Sequence, residues 1–323
     1  MNDIYRPEGS LLNSQKNREY LSSIKELERA MTEGAILESN VMFCDSNMRL
    51  HIDLGAIQGI IERPEAMYCR PGEYIKDIAV ITRVGKPIAF KILGFKTEKG
   101  QTVAILSRKA AQEECNTRFL SSLVPGDILP ARVTHLESFG AFVDIGCGVS
   151  SLLTVDSISV SRISHPKDRL SVGDSIYVVV KSREESSNRI YVSMRELLGT
   201  WEENASFFEV GQTVTGIVRS VENYGVFVEL TPNLAGLAEL RDGCNTSDPS
   251  SIGSTTAVYI KSILPDRMKV KLVLIDSYKG HSEPILRQPI KYFIDCEHTD
   301  HISHWQYSPP YSQKIIETVF DSI

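Results

Sequence analysis

The sequence lacks a C-x-x-C pair, a long apolar run, a surplus of positive charge and every common catalytic signature. Each absence removes a class of function. The six cysteines, Cys44, Cys69, Cys115, Cys147, Cys244 and Cys296, are scattered singly. Their spacing suits neither a disulfide framework nor a zinc module and reads as reduced, mostly buried thiols in a cytoplasm. No apolar stretch approaches the ~20 residues of a membrane span. The start, "MNDIYRPEGS", has no signal-peptide core, so a cytoplasmic protein without a membrane partner is expected. The net charge of −6 rules out nucleic-acid binding by bulk attraction; local cations and stacking would have to serve instead. There is no Walker-type loop, no G-x-S-x-G and no H-E-x-x-H. The chain is therefore predicted not to be an enzyme and to use no cofactor. Clustered acids such as "REE" at 183–185 read as solvated loop.

What is present is a repeat. Shifted by 85 residues, "GDILPARVTHLESFGAFVDI" at 126–145 lies on "GQTVTGIVRSVENYGVFVEL" at 211–230 without a gap. Phe139 and Phe142 meet Tyr224 and Phe227, and Asp144 meets Glu229. Read as strands, both segments alternate. Ala141, Val143 and Ile145 face one way, as do Val226, Val228 and Leu230. Phe142 shares the opposite, wet face with Asp144, and Phe227 shares it with Glu229. Each unit continues with a short apolar stretch, a polar loop, a glycine before a β-branched run, and a closing strand at 189–194 or 268–275. Five short strands in about 70 residues predict a small closed barrel, and closure also removes exposed strand edges.

A weaker third copy lies upstream. "MRLHIDLG" at 48–55 puts Leu50, Ile52 and Leu54 inward, with His51 where Phe142 stands and Met48 where Phe139 stands. It predicts the same barrel with its aromatic face lost. The spacing of Leu21, Ile24, Leu27 and Met31 predicts one helix over 17–31. "MRELLGTWEENASFF" at 194–208 predicts a helical joint with Leu197, Leu198, Trp201 and Phe208 in one stripe, interrupted at Gly199. "QKIIETVF", after Pro309 and Pro310, is expected to form a closing helix. Cys296, His298, His301 and His304 match no standard zinc template, and Trp305 and Tyr307 beside them read as anchors to a barrel or a partner.

These residues carry a resemblance. "FGAFVDIG", "YGVFVEL", the proline of "SHPKDRLSVGDSIYVVV", the closing "RIYVSMREL" and the joint "LLGTWEENASFFEVGQTVTGIV" resemble the S-one RNA-binding domain. This OB-fold module is repeated in the largest small-subunit ribosomal protein of bacteria. The likeness is strong over 124–276, weak over 35–112 and absent from 280 onward. It implies a mainly β fold: three tandem five-stranded OB-fold barrels joined by short helices, the first barrel degenerate. The corresponding organisation is an N-terminal helical segment at 1–34, barrels at 35–115, 124–196 and 210–276, a linker at 197–209 and a C-terminal extension at 277–323. It also implies an RNA face of two aromatics, a histidine, an acid and a base. In the middle barrel these positions fall on Phe139, Phe142, Thr154, Glu185 and Arg189, and in the last on Tyr224, Phe227, Glu239, Asp266 and Lys269. Thr154 and Glu239 depart from the histidine.

Exposed aromatics suit single-stranded nucleic acid because every base presents a π-face, and stacking contributes ~1–3 kcal/mol per base. Gly140 and Gly225 are expected to leave room for bases, or to host a bulge that brings both rings to one face. Arg189 and Lys269, with Lys181, Arg183 and Lys261 nearby, are the candidate phosphate contacts. Residues 124–196 hold eight Lys/Arg against nine Asp/Glu, so useful affinity is expected only when two barrels act together. The function expected is single-stranded RNA (mRNA) binding in translation, with the first barrel docking on the small ribosomal subunit. The alternative is a protein–protein adaptor that uses the barrels on a ribosome, polymerase or nuclease.

Overall fold

A computed structural model describes residues 4–69, 72–98, 100–184, 189–239, 252–275 and 289–320. Cys244 and the stretch 276–288 of the extension lie outside these residues. The chain divides into two compact units. One comprises Met1–Leu123 with Pro130–Arg132 and Val143–Ser150; the other comprises Val124–Leu129, Val133–Phe142 and Ser151–Ile323.

The N-terminal helical region is two helices, not one: α1 (Gln15–Leu21) and α2 (Ile24–Glu33). Apolar spacing runs through both, but Ser22 and Ser23 divide them. The Ser22 hydroxyl donates to the Glu19 carbonyl, and the Ser23 side chain caps the Glu26 amide. Serine bonding to nearby backbone competes with a continuous helix in this way. Gly34, at φ 65°, ends α2 in the left-handed conformation.

Three closed five-stranded barrels follow. The first contains β1 (Leu37–Cys44), β2 (Leu50–Asp53), β3 (Gln58–Ile61), β4 (Pro87–Glu98) and β5 (Gln101–Ser107), in the order β1-β2-β3-β5-β4. The short helix α3 (Asp77–Ile81) interrupts it, and α4 (Arg108–Arg118) leaves it. The middle barrel contains β6 (Ile128–Glu137), β7 (Gly140–Asp144), β8 (Ser150–Thr154), β9 (Ser175–Glu184) and β10 (Arg189–Ser193), with α5 (Val155–Ile158) after β8. After the linker helix α6 (Trp201–Ala205), the last barrel contains β11 (Thr213–Glu222), β12 (Gly225–Thr231), β13 (Leu234–Glu239), β14 (Thr255–Leu264) and β15 (Lys269–Leu274). Alternation sets the interiors: Leu50, Ile52, Leu54, Ala141, Val143, Ile145, Val226 and Val228 are buried, and Leu230 is half-buried.

The linker keeps its apolar stripe in two pieces. A 3-10 turn at Arg195–Leu198 and α6 meet at Gly199, and Thr200 and Glu203 form a reciprocal cap on α6. The expected closing helix is a strand instead. β17 (Glu317–Val319) pairs antiparallel with β16 (His304–Gln306). The β-branched run Ile315, Ile316, Thr318 and Val319 favours that state. Trp305 and Tyr307 are buried in the core of the last barrel; the Tyr307 hydroxyl donates to the Asn233 carbonyl at 2.5 Å.

Candidate nucleic-acid interface

The β6–β7 hairpin carries Phe139 on its turn and Phe142 on β7. Phe139 is 53% exposed and Phe142 half-buried. Their ring centroids lie 6.0 Å apart with planes at 89°. The β11–β12 hairpin repeats the arrangement: Tyr224 is 59% exposed, 6.3 Å from Phe227 and at 89° to it. Edge-to-face contact holds each pair in a preferred geometry. Neither outer ring is packed away under a loop.

The glycine between the rings has a different reason from either one expected. A Cβ on Gly140 would lie 2.5 Å from the Leu153 carbonyl oxygen, and one on Gly225 would lie 2.7 Å from that of Ala238. Close approach of the neighbouring strand requires the glycine, not room for bases. The bulge sits on the partner strand: the β11 register skips between Val218 and Ser220. Ser220 then faces Phe227 across the ladder. The 85-residue repeat puts His135 opposite Phe142 in the same way. The two rings stack at 6.4 Å and 26°, and His135 Nε2 lies 2.8 Å from Glu137. His135 was missed in the sequence because hairpin register, not local pattern, pairs it with Phe142.

The cations occupy defined places. In β9 the pairing skips Lys181, and in β14 it skips Lys261, so each is a bulge residue. Lys181 Nζ donates to Ser157 Oγ at 3.0 Å, and Thr154 Oγ1 lies 2.9 Å from the same oxygen. Beside them the Thr154 hydroxyl, aided by the Lys181 charge, holds the Asp156 carboxyl below its usual range. Arg189 is exposed and opens β10 opposite Glu184. Arg183 stands opposite Ile190 in the same pairing. Lys269 is exposed and opens β15 opposite Leu264, and Lys261 is exposed on β14. Glu239 is exposed, 3.9 Å from Lys271 Nζ. Asp266 lies 3.5 Å from Arg267, and its carbonyl accepts from Gln313 and Ser312. Glu185 lies outside the described residues.

The two acids expected on the wet face beside the rings are buried. Asp144 is 2% exposed and accepts from the amides of Glu8 (2.7 Å), Gly146 and Gly148 (both 2.9 Å). Burial and the Glu8 charge push its carboxyl upward, against the pull of those amides and of Arg108. Arg108 in turn grips Glu8 through two bonds of 2.6 and 3.0 Å. Glu229 is 4% exposed and lies between two arginines: Arg169 donates to both its oxygens at 2.5 Å, and Arg219 Nε donates at 2.6 Å. Neither carboxylate is free to read a base amine or repel a backbone.

The first barrel lacks the outer ring, with Met48 in its place, but keeps a ring pair across the hairpin. Phe43 on β1 is 48% exposed and pairs across the ladder with His51, their rings stacked at 4.3 Å and 10°. The face differs in its cations. The β4 bulge that matches Lys181 and Lys261 holds Leu93. The parallel pairings Leu152–Tyr191, Leu237–Lys271 and Ile60–Ile105 align Thr154 and Glu239 with Glu62, and Arg189 and Lys269 with Val103.

The histidines of the tail pair singly with acids: His298 with Asp295, His301 with Asp127 and His304 with Glu317. Among the described residues no three His, Cys, Asp or Glu side chains come together as a metal site.

Comparison with known proteins agrees with the barrel type. The S1 RNA binding domain family matches residues 123–195. The small ribosomal subunit protein bS1 of Staphylococcus epidermidis is 34% identical over 209 residues, 63% of this chain and 50% of that protein. The bS1 of Staphylococcus aureus is 30% identical over 239 residues, 72% of this chain and 58% of that protein. The chain thus spans between half and three-fifths of the relatives it matches. The solution structure of GSP13 from Bacillus subtilis is similar over 23% of this chain and 57% of that one, at 27% identity and a TM-score of 0.22. A multidomain protein with nucleic acid binding domains from Streptococcus pneumoniae is similar over 78% of this chain and 76% of that one, at 13% identity and a TM-score of 0.24.

Proposed function

We propose that this chain, which belongs to the bS1 family of S1-domain proteins, binds single-stranded RNA in translation through its middle and last barrels. The observation that supports this reading is the repeated two-ring platform, Phe139 with Phe142 and Tyr224 with Phe227, built at the same angle in both barrels. One ring of each pair stays open to solvent, as stacking on a base requires. Lys181 and Arg189 in the middle barrel, with Lys261 and Lys269 in the last, are the phosphate contacts in this reading. Thr154 belongs to the middle face in this reading.

The small ribosomal subunit in the cytoplasm is the proposed place of action, and mRNA the proposed ligand. The first barrel is the proposed attachment to the subunit. Exposed Tyr74, Ile78 and Ile81, around α3, support a protein contact there.

The test is fluorescence anisotropy with a labelled unstructured RNA of about 15 nucleotides, a length that two barrels can share. Phe142→Ala and Phe227→Ala should each weaken binding by roughly 5- to 150-fold, the equivalent of one stacked base. With few cations on the face, the loss of affinity with salt should be shallow. Unchanged affinity in the folded double variant would remove the stacking reading. No binding by the intact chain would leave the barrels as protein-docking modules.

A further inference from the structure

We infer that the first barrel carries a base-stacking site of its own, with Phe43 as the platform and His51 as its backing. This rests on the RNA-binding reading above and extends it to the barrel whose sequence had lost the motif. The middle barrel has a histidine on its first strand and a phenylalanine on the second, His135 and Phe142. The first barrel has the reverse, Phe43 on β1 and His51 on β2, in direct register. The two ring types have changed strands, and the ring pair across the hairpin has survived.

The geometry is that of a built platform. The two rings lie nearly parallel at 4.3 Å. His51 Nε2 is held 3.1 Å from Asp45 Oδ2. Asp45 is itself fixed by the Arg49 guanidinium at 2.8 Å and by the amides of Arg49 and Asn47. His51 Nδ1 is buried without a hydrogen-bond partner, so turning the ring would exchange its one partner for none. Phe43 is therefore supported from behind by a ring that cannot easily move. Its outer face remains open, 48% exposed. A rigid aromatic with a free π-face takes a nucleobase at little ordering cost. A flexible chain of like exposure would not.

The surroundings define the ligand further. Leu93 and Val103 stand where the other barrels present lysine or arginine. Arg49 is engaged with Asp45 and lies 3.4 Å from Glu98, and Lys96, opposite Val103, lies 3.7 Å from Glu62 and 3.4 Å from Glu98. Among the described residues Arg49 and Lys96 are thus already paired with acids, and the site offers mainly stacking. It takes the base of an RNA strand already held by the other barrels, and it adds affinity without adding salt dependence.

The experiment uses the full chain and two unstructured RNAs, of about 24 and about 8 nucleotides, since each OB-type barrel covers roughly 4–16. Phe43→Ala should weaken binding of the long RNA by roughly 5- to 150-fold, leave the short RNA almost unaffected, and leave the salt slope unchanged. Phe43→Trp should restore the affinity, and the indole placed there should be quenched as the long RNA binds. Trp201 and Trp305 are buried and contribute a constant background. Equal affinity of Phe43→Ala and the unaltered chain for the long RNA, with Phe142→Ala still defective, would overturn this inference and leave the broader reading intact. Absence of binding by the unaltered chain to either RNA would overturn both. A Phe43→Trp chain that binds without quenching would also overturn it, and that result does not depend on Phe43→Ala folding.

Discussion

Asp144 and Glu229 stand at one position of the repeat, two residues after the inner platform ring, yet they are neutralised by different means. In the middle barrel Asp144 receives three backbone amides, one of them from Glu8 in the N-terminal segment. In the last barrel Glu229 receives two arginines, one of them Arg169 from the loop after Pro166–Asp168. Each acid is thus a joint to chain that came earlier, 136 residues before in one case and 60 in the other. The corresponding Asp53 of the first barrel stays exposed and accepts from the Gly55 amide. In the middle and last barrels a position read as part of the ligand face is an attachment point.

The largest test of this comparison is Glu229→Ala. It leaves Arg169 and Arg219 buried without their common partner, and an unpaired buried charge costs about 3–5 kcal/mol. Thermal unfolding should show a large loss in Tm. A loss below about 1 kcal/mol, the range of an exposed ion pair, would mean that water reaches the site. Arg169→Ala should do less. Glu229 keeps the Arg219 bonds, so no buried charge is left without a partner and the loss should fall below that of Glu229→Ala. If the two variants were equally damaging, Arg219 would be contributing nothing.

The smallest effect sharpens the other half. Around Asp144 three acids, Asp144, Glu8 and Glu38, face two cations, Arg108 and Arg83. Glu38 is fully buried, and one of its oxygens accepts from the Gly9 and Leu11 amides while the other has no partner. Burial, with Glu8 and Asp144 nearby, pushes its carboxyl from 4.5 up to about 8. Asp144 is shifted the same way. The folded unit therefore binds protons that the unfolded chain has released. Its stability is full below the unfolded pKa and falls as pH rises through the folded one. Tm should decline between about pH 5 and pH 8. Glu38→Gln, which mimics the protonated acid, should flatten part of that slope. A Tm that rises over this range would show that Arg108 and Arg83, the cations facing the cluster, dominate it.

Much of the face was legible in the chain. Alternation puts Ala141, Val143, Val226 and Val228 inside, and the repeat singles out both ring pairs. The apolar spacing at 17–31 gave the inward positions of the N-terminal helices but not the break at Ser22 and Ser23. There a hydroxyl bonded to the backbone outweighs propensity. "QKIIETVF" was ambiguous between helix and strand, and its pairing with His304–Gln306 decided the matter. Phe43 left no local signal, because Met48 and not Phe43 holds the turn position where the other barrels keep their outer ring.

The sequence by itself determined three barrels, their inward faces and the rings of the middle and last platforms. These follow from period-two alternation and from a repeat that preserves it. The tertiary structure alone decided that Asp144 and Glu229 are joints, that His135 backs Phe142, and that the first barrel kept a stacked pair on exchanged strands. Parity tells which way a side chain points from its own strand. It cannot tell what lies over that face, because the covering groups come from residues far away in the chain or from register across a hairpin.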